Sequence, residues 1–309
     1  MSKKQTDRKT YKKVPIEDRI QMVERLYINF PRNQSALNAI GNCHSHAKLS
    51  KEPEGILILG DTGAGKTTVV RLYMRSHPRI VTEEVTVVPV LYATVPVPAT
   101  CKSLVTALLT AIGDPAAEKG SQVTQTLRLK RYIGRCKVEL LILDEFQHFQ
   151  DRESLRVLKT VSDWLKVLMD ETGVPIVLAG LPYSHTVLDD ENNEQLRRRF
   201  ALRIELAPFG FNTSRERQDF RRFLNVIDEK LPLAERSDLA DPATAFCIFE
   251  ATDGVVAHVM KLVRRATVIA LESRREKLTM EILSLAYEQR LAANNPGKPN
   301  PFGAVALVA

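Results

Sequence analysis

The sequence has few cysteines, few aromatic residues and no long apolar run. Its four cysteines stand far apart and form no C-x-x-C pair: Cys43, Cys101, Cys136 and Cys247. This spacing argues against a disulfide framework or a zinc ribbon and favours reduced thiols. No apolar segment approaches the roughly 20 residues of a membrane-spanning helix. The basic N-terminus also lacks the apolar stretch of a secretory signal. We therefore expect a cytoplasmic protein with no membrane partner.

Composition indicates an ordinary globular chain. Apolar residues make up 44% and charged residues 26% of the 309 positions, which excludes wholesale disorder and collagen-like repeats. At roughly 150 residues per domain, the length predicts about two domains. Lys and Arg number 44 against 37 Asp and Glu, a net charge of +7, and this modest excess favours anionic partners.

Short apolar runs alternate with helical patterns through the first two thirds of the chain. This alternation predicts an α/β layer fold with a largely parallel sheet. The expected strands are 56–59, 85–92, 140–143, 176–179 and 202–206. The expected helices between them are 67–76, 102–112, 126–136 and 155–172. After Pro208 the strand patterns stop and only helical patterns follow.

One segment carries a phosphate-binding motif. It reads Gly60, Asp61, Thr62, Gly63, Ala64, Gly65, Lys66, Thr67 and fits G-x-x-x-x-G-K-[ST] at every fixed position. It follows an apolar strand and opens a helix, where backbone N–H groups converge on phosphate oxygens. Lys66 reaches the β- and γ-phosphates and the Thr67 hydroxyl ligates Mg²⁺. We therefore predict an ATP–Mg²⁺ site formed by this loop and Thr68.

A second apolar strand ends in two carboxylates, Asp144 and Glu145. Ionised groups at the end of a buried strand must be paired or solvated. Beside a magnesium nucleotide, Asp144 would anchor the metal and Glu145 would orient and deprotonate the attacking water. The alternative is a strand that simply runs into solvent. The interposed strand at 85–92 and the second acid favour the P-loop branch with a catalytic glutamate over kinase-like and GTPase-like branches.

Together these segments resemble AAA+ ATPases and, more narrowly, the TniB/TnsC family of transposition regulators. The resemblance covers roughly residues 15 to 290 and is carried by 60–67, Asp144–His148, Pro175–Gly180 and Leu196–Phe200. It implies a P-loop AAA+ three-layer αβα core with a parallel five-stranded sheet, followed by a small α-helical lid domain. The expected divisions are a basic flexible arm (1–14), N-terminal helices packed on the core (15–50), the AAA+ core (51–210), the lid (211–291) and a flexible tail (292–309).

The resemblance also implies an arginine finger that reaches the nucleotide of a neighbouring subunit. Arg199 matches it best and Arg198 is the second choice; the alternative is a solvated helix end. Residues 179–182 offer no polar side chain for sensor 1. His258 or Lys261 could stand in for the arginine of sensor 2. Weak sensors favour slow hydrolysis, with ATP acting mainly as an assembly clamp.

By the same resemblance, ATP-bound subunits form a helical filament or ring around double-stranded DNA. Lys102 and Thr124 match the DNA-contacting positions, with Lys119 and Ser121 as neighbours. Lysines and short hydroxyl residues contact phosphates without reading bases, so we expect sequence-independent binding. The alternative is that Lys102 is merely an exposed lysine at a helix start and Thr124 a helix cap.

The function implied is an ATP-dependent regulator that coats target DNA, recruits and activates a DDE-type transposase, works with a TniQ-like target-selection protein and disassembles on hydrolysis. Either the transposase's flexible tail or the tail of this chain around Phe302 is expected to dock between these partners. Three alternatives stay open. A replication initiator or helicase loader would carry a winged helix, for which too few residues follow the lid. A non-hydrolysing DNA scaffold has no need of Glu145, and a signalling ATPase would bring sensor or repeat domains.

Overall fold

A computed structural model describes residues 8–46, 52–149, 155–185, 194–294 and 297–303. The chain divides into two compact units, one of residues 31–207 and one of residues 1–30 with 208–309. Among the described helices, none combines the length and apolar character that a membrane crossing requires.

The unit of residues 31–207 is built on a parallel sheet of five strands. These are β1 (Ile56–Leu59), β4 (Val90–Thr94), β5 (Leu140–Asp144), β6 (Ile176–Gly180) and β7 (Leu202–Glu205), in the spatial order β4-β5-β6-β1-β7. Every neighbouring pair is parallel. The predicted layer fold with a parallel sheet is confirmed.

The expected strand at 85–92 is divided in the structure. A short antiparallel hairpin of β2 (Ile80–Val81) and β3 (Thr86–Val87) precedes the sheet strand β4. Pro89 stands between β3 and β4 and has no N–H to donate to a ladder. Its carbonyl instead accepts hydrogen bonds from Glu139 and Leu140 at 2.9 and 3.1 Å, which aligns the start of β4 with β5.

Helices cover both faces of this sheet. They are α2 (Pro31–His46), α3 (Lys66–Ser76), α4 (Cys101–Ile112), α5 (Gln122–Arg135), α6 (Leu155–Thr172) and α7 (Glu194–Arg199). Leu57 and Leu143 belong to the apolar cluster that includes α4, α5 and α6. Ile58 and Ile142 belong to the cluster that includes α2 and α3. Since successive strand residues face opposite sides, alternate apolar positions fill both cores and give three layers.

The other described unit is helical. It contains α1 (Ile16–Glu24), α8 (Ser214–Lys230), α9 (Pro242–Thr252), α10 (Val256–Glu272) and α11 (Met280–Arg290). Its helix starts follow the sequence signals: Thr213 and Glu216 form a capping box, Asp241 caps α9 before a proline, and Thr279 caps α11. These caps satisfy the N–H groups that a first turn leaves unpaired.

The first helix differs from its expected place on the core. α1 groups with the lid helices, whereas α2 groups with the core. Arg19 of α1 is 3% exposed. It donates hydrogen bonds to both carboxylate oxygens of Glu276, at 3.1 and 2.6 Å, and to the carbonyl of Pro232 at 2.7 Å. A buried guanidinium with three acceptors ties α1 to the lid.

The arm and the tail also differ from the expected flexible segments where the structure describes them. Residues Arg8–Lys13 form a 3₁₀ helix, and the Arg8 guanidinium bonds to Asp228. Phe302 is 2% exposed and packs edge-on against Tyr287. The expectation of Phe302 as an exposed docking anchor is therefore wrong, because its ring belongs to the lid core. Residues 1–7 and 304–309 lie outside the described part.

The Arg19–Glu276 pair generates a prediction about acid stability. The hydrogen bond from Arg19 lowers the pKa of Glu276 below its ordinary value of 4.5, against the opposing effect of burial. A carboxyl whose pKa is lower in the folded state stabilises the fold above its unfolded pKa, and this stabilisation is lost as the pH falls through the folded pKa. Glu276→Gln should lower the free energy of unfolding by about 1–3 kcal/mol at neutral pH.

Urea denaturation measured from pH 7 to below 4.5 checks this prediction. The difference in free energy of unfolding between wild type and Glu276→Gln should become smaller as the pH falls. Glu235→Gln is the matched control, because its exposed carboxylate makes no ion pair among the described residues. A difference in free energy of unfolding that stays constant across this pH range would contradict the stabilising role of the Arg19–Glu276 pair.

Candidate nucleotide-binding site

The loop after β1 is shaped by glycines. Gly63 and Gly65 have φ angles of 82° and 105°, a region that favours glycine. A Cβ at Gly60 would lie 2.5 Å from the carbonyl oxygen of Leu206, so only glycine fits where β1 ends. Asp61 and Thr62 are exposed at the loop tip, and α3 begins immediately after Gly65. The loop therefore has the strand–loop–helix form that the sequence predicts.

Lys66 is buried at the base of this loop. It is 7% exposed, and its Nζ donates hydrogen bonds to the carbonyl oxygens of Gly60 at 2.6 Å and Asp61 at 3.1 Å. Burial lowers its pKa, while the nearby carboxylates of Glu145, Asp144 and Asp61 act in the opposite direction. Two carbonyls thus orient a cation at the place where the motif requires one.

Thr67 and Asp144 come together at the start of α3. The Thr67 hydroxyl donates to Asp144 Oδ2 at 2.9 Å, and Asp144 is 1% exposed. Mg²⁺ is held in nucleotide sites by one or two protein oxygens together with phosphates and water. The described residues hold no group of three or more His, Cys, Asp or Glu suited to a metal, and the Thr67–Asp144 pair is the oxygen set that a magnesium nucleotide fits.

Glu145 has an unusual backbone conformation. Its φ is 59°, a left-handed conformation that is uncommon for a residue other than glycine and is found more often at functional sites. Its backbone N–H donates to Asp144 Oδ1 at 3.0 Å, and its carboxylate accepts a hydrogen bond from Gln147 Nε2. The structure thus brings Lys66, Thr67, Asp144 and Glu145 to one edge of the sheet.

Sequence reasoning missed two residues that hold these carboxylates. The Tyr92 hydroxyl donates to Asp144 Oδ2 at 3.3 Å. Burial raises the pKa of Tyr92, so the phenol stays a donor. Gln147 is buried, and its Oε1 accepts from the backbone N–H of Leu181 at 3.2 Å. Gln147 follows Glu145 by two residues, and this closeness in the chain could have indicated its role. Nothing in the sequence around Tyr92 indicates a contact with Asp144.

The end of β6 has a polar group that the sequence did not suggest. Residues 179–182 carry no polar side chain, as expected. Ser184 is fully buried beside Gly180, and its Oγ has no hydrogen-bond partner among the described residues. A Cβ at Gly180 would lie 2.5 Å from that Oγ and 3.2 Å from Gln147 Oε1. The glycine therefore makes room for Gln147 and Ser184 at the position where a sensor is expected.

The two candidate finger arginines differ in their surroundings. Arg199 forms an ion pair with Asp170 and donates to the carbonyl of Pro53 at 3.1 Å. Its own carbonyl accepts from the N–H of Gly55 at 2.7 Å. Arg198 is exposed. The finger assignment, with Arg199 first and Arg198 second, stays a prediction.

The candidate DNA-contacting residues lie at the starts of α4 and α5. Lys102 is exposed in the first turn of α4, and Lys119, Ser121 and Thr124 are exposed around the start of α5. Ser121 caps α5, and its Oγ lies 3.0 Å from the Thr124 hydroxyl. The start of α4 thus presents a cation to solvent and the start of α5 presents hydroxyl groups, and both kinds of group are suited to phosphates.

A hydrogen bond joins these two helices close to the candidate residues. Gln125 Nε2 donates to Thr106 Oγ1 at 2.9 Å. Gln125 follows Thr124 directly, and Thr106 is one helical turn after Lys102. Lys102 and Thr124 therefore lie on two neighbouring helices, α4 and α5, that this hydrogen bond joins.

Loss of the Lys66 ammonium should weaken ATP binding. A hydrogen bond to a charged group contributes about 1.5–3 kcal/mol, which corresponds to roughly 10- to 100-fold in Kd. We expect Lys66→Met to bind a fluorescent ATP analogue more weakly by this factor in an anisotropy titration. Lys159→Met, at an exposed lysine of the same unit, is the control. Equal affinity of wild type and Lys66→Met would remove Lys66 from the site.

Comparison with known proteins identifies the family and the fold of this chain. The family model described as "Bacterial TniB protein" matches residues 19–209. No curated protein sequence matches the chain. Among solved structures, the ORC1 protein of Aeropyrum pernix, in complex with DNA, is 19% identical with a TM-score of 0.61 and covers 87% of this chain and 69% of that chain.

Two further structures are similar over most of the chain. The ORC2 protein of Aeropyrum pernix, solved as ADPNP-ADP complexes, is 15% identical with a TM-score of 0.64 over 87% of this chain and 71% of that chain. The CDC6P protein of Pyrobaculum aerophilum is 15% identical with a TM-score of 0.62 over 90% and 74%. At these identities the likeness concerns the fold alone. The predicted P-loop AAA+ fold with a helical C-terminal region is confirmed.

Proposed function

This chain belongs to the bacterial TniB family, and from that premise we propose that it is an ATP-hydrolysing, DNA-binding regulator of transposition. One observation carries the proposal: Lys66, Thr67, Asp144 and Glu145 converge at one edge of the sheet, linked by hydrogen bonds and charge. This set contains a phosphate-binding cation, a magnesium-binding oxygen pair and a general base, which are the parts that ATP hydrolysis needs.

Each residue has a defined task in the proposed reaction. Lys66 binds the β- and γ-phosphates, and the loop amides of 60–65 hold the phosphate oxygens. Thr67 and Asp144 hold Mg²⁺, which neutralises phosphate charge when bound. The Glu145 carboxylate accepts the proton of the attacking water. Gln147 orients Glu145, because it donates to that carboxylate while its other end is fixed on Leu181.

Binding to double-stranded DNA is supported by the exposed turns of α4 and α5. Lys102 and Lys119 offer cations and Ser121 and Thr124 offer hydroxyls, and such groups contact phosphates without reading bases. The ORC1 structure of similar fold is a complex with DNA. We infer that this chain binds duplex DNA independently of sequence.

Assembly and partners complete the proposal. ATP between adjoining subunits builds a filament or ring on DNA, and Arg199, or Arg198 as the second choice, completes the site. This polymer recruits and activates a DDE-type transposase, cooperates with a TniQ-like protein, and disassembles after hydrolysis. The alternative of a non-hydrolysing scaffold differs from this proposal in one measurable respect, since it predicts no ATP hydrolysis that depends on Glu145.

The alternative of a replication initiator is supported by similarity of fold alone, whereas the family match favours transposition.

Glu145→Gln tests the hydrolytic part of the proposal. The amide cannot accept a proton, so hydrolysis should fall roughly 10²- to 10⁴-fold, the range for loss of a general base. ATP binding should persist, and complexes on DNA should last longer. Phosphate release and electron microscopy with duplex DNA measure both effects. Exposed Glu250→Gln serves as the control. A hydrolysis rate that is unchanged in Glu145→Gln would contradict the role of Glu145 as the general base, whereas a wild type that releases no phosphate with DNA would favour the non-hydrolysing scaffold.

Lys102→Ala tests the DNA surface. Loss of one phosphate contact should reduce the slope of log K against log salt concentration by about 0.9. Fluorescence anisotropy with a labelled duplex at several salt concentrations gives this slope, and Lys159→Ala is the control of equal charge. If wild type and Lys102→Ala have the same slope, Lys102 does not contact DNA.

A further inference from the structure

A second cluster of cations lines a pocket in the helical unit, and one of them, Lys261, is also a sensor 2 candidate. The pocket has a volume of about 420 Å³. Lys261, Arg264 and Arg265 of α10 and Arg290 of α11 line it, with Glu24 of α1 as its one acid and Ile20 among its apolar contacts. Four cations and one carboxylate leave a net charge of +3. We call this site the basic pocket.

None of these four cations is neutralised by a carboxylate within the described residues. Glu24 lines the same pocket without forming an ion pair there. Lys261, Arg264 and Arg265 lie three and four positions apart on α10, where like charges repel. This unbalanced positive charge in a concave surface attracts anions.

Two of the guanidinium groups are held in place by neutral acceptors. Arg264 Nη2 donates to the carbonyl of Leu26 at 2.9 Å, and Arg265 Nε donates to Gln289 Oε1 at 2.6 Å. Arg264 Nε is buried and has no acceptor. A buried charged donor without a partner is costly. The hydrogen bonds of Arg264 and Arg265 therefore fix both guanidinium groups on the wall of the pocket.

We propose that the basic pocket binds backbone phosphates of duplex DNA, as a contact separate from the surface at Lys102. The inference rests on the proposed DNA-binding function and adds a second place where DNA is held. Arginine forks match the paired oxygens of a phosphate. A duplex presents one negative charge per roughly 1.7 Å of its axis, so one pocket of this charge can meet more than one phosphate.

The lining favours DNA over an acidic peptide. Its walls are helices whose backbone groups bond within the helix, so no strand edge is offered to a peptide. The described residues that line the pocket include no aromatic side chain to anchor an apolar residue. Peptide recognition relies on such edges and anchors, whereas phosphate contacts need only placed cations.

The test uses the full chain with Lys261 and Arg290 both changed to alanine. Both side chains are exposed and make no hydrogen bond or ion pair among the described residues, so the fold should be retained, as thermal melting will check. The matched control is Arg275→Ala with Lys277→Ala, two exposed cations of the same unit and equal charge. Anisotropy with a labelled duplex gives the salt slope of each protein.

If both cations contact phosphates, the pocket variant should lose about 1.8 from the salt slope, twice the 0.9 of one contact, while the control keeps the wild-type slope. An unchanged slope in the pocket variant overturns the inference. An equal loss in the control also overturns it, because the effect would then follow net charge.

Two further outcomes separate this inference from its neighbours. Polyglutamate that binds wild type but not the pocket variant, with an unchanged DNA slope, overturns the DNA assignment in favour of an acidic protein partner. Wild type that binds no duplex overturns the proposed function itself. If the salt slope falls in Lys102→Ala but not in the pocket variant, the proposed DNA-binding function is retained and only the DNA contact of the basic pocket is contradicted.

Discussion

The parallel order of the five strands is the constraint on which the rest of the structure depends. Parallel strands place all their carboxyl ends at one edge, so the loop after β1, the acids at the end of β5 and the turn after β6 meet there. The register pairs Leu59 with Gly180 and Thr94 with Asp144. No long-range loop has to fold back to assemble the site, because the sheet core that stabilises the unit also positions its chemistry.

Neutral donors make it possible to bury negative charge at this edge. Asp144 accepts hydrogen bonds from Thr67 and Tyr92, and Glu145 accepts one from Gln147. Such bonds offset part of the cost of taking carboxylates out of water, and the nearby Lys66 ammonium adds an attractive charge. Gln147 connects the carboxylate of Glu145 to the end of β6.

The same principle recurs with cations in both units. Lys66 is oriented by the carbonyls of Gly60 and Asp61, and Arg264 by the carbonyl of Leu26. A carbonyl fixes the direction of a cation but leaves its charge uncompensated. Both side chains are thus fixed in direction by neutral groups. The charge of Arg19 is instead matched by Glu276, and this pair holds α1 on the lid.

The sequence by itself determined the layer fold, the phosphate loop, the acidic strand end and the lid's helix caps, because each is specified by residues close together in the chain. Only the tertiary structure decided the partners of these groups. Tyr92 and Gln147 hold the acids, Pro89 divides a strand, and Phe302 is buried in the lid although its proline- and glycine-rich surroundings predicted exposure. Arg199 forms an ion pair with Asp170, and no local sequence pattern indicates this pairing. The contacts of Tyr92 with Asp144 and of Arg199 with Asp170 join residues distant in sequence, and such contacts gain their energy from packing and burial that exist only once the chain has folded.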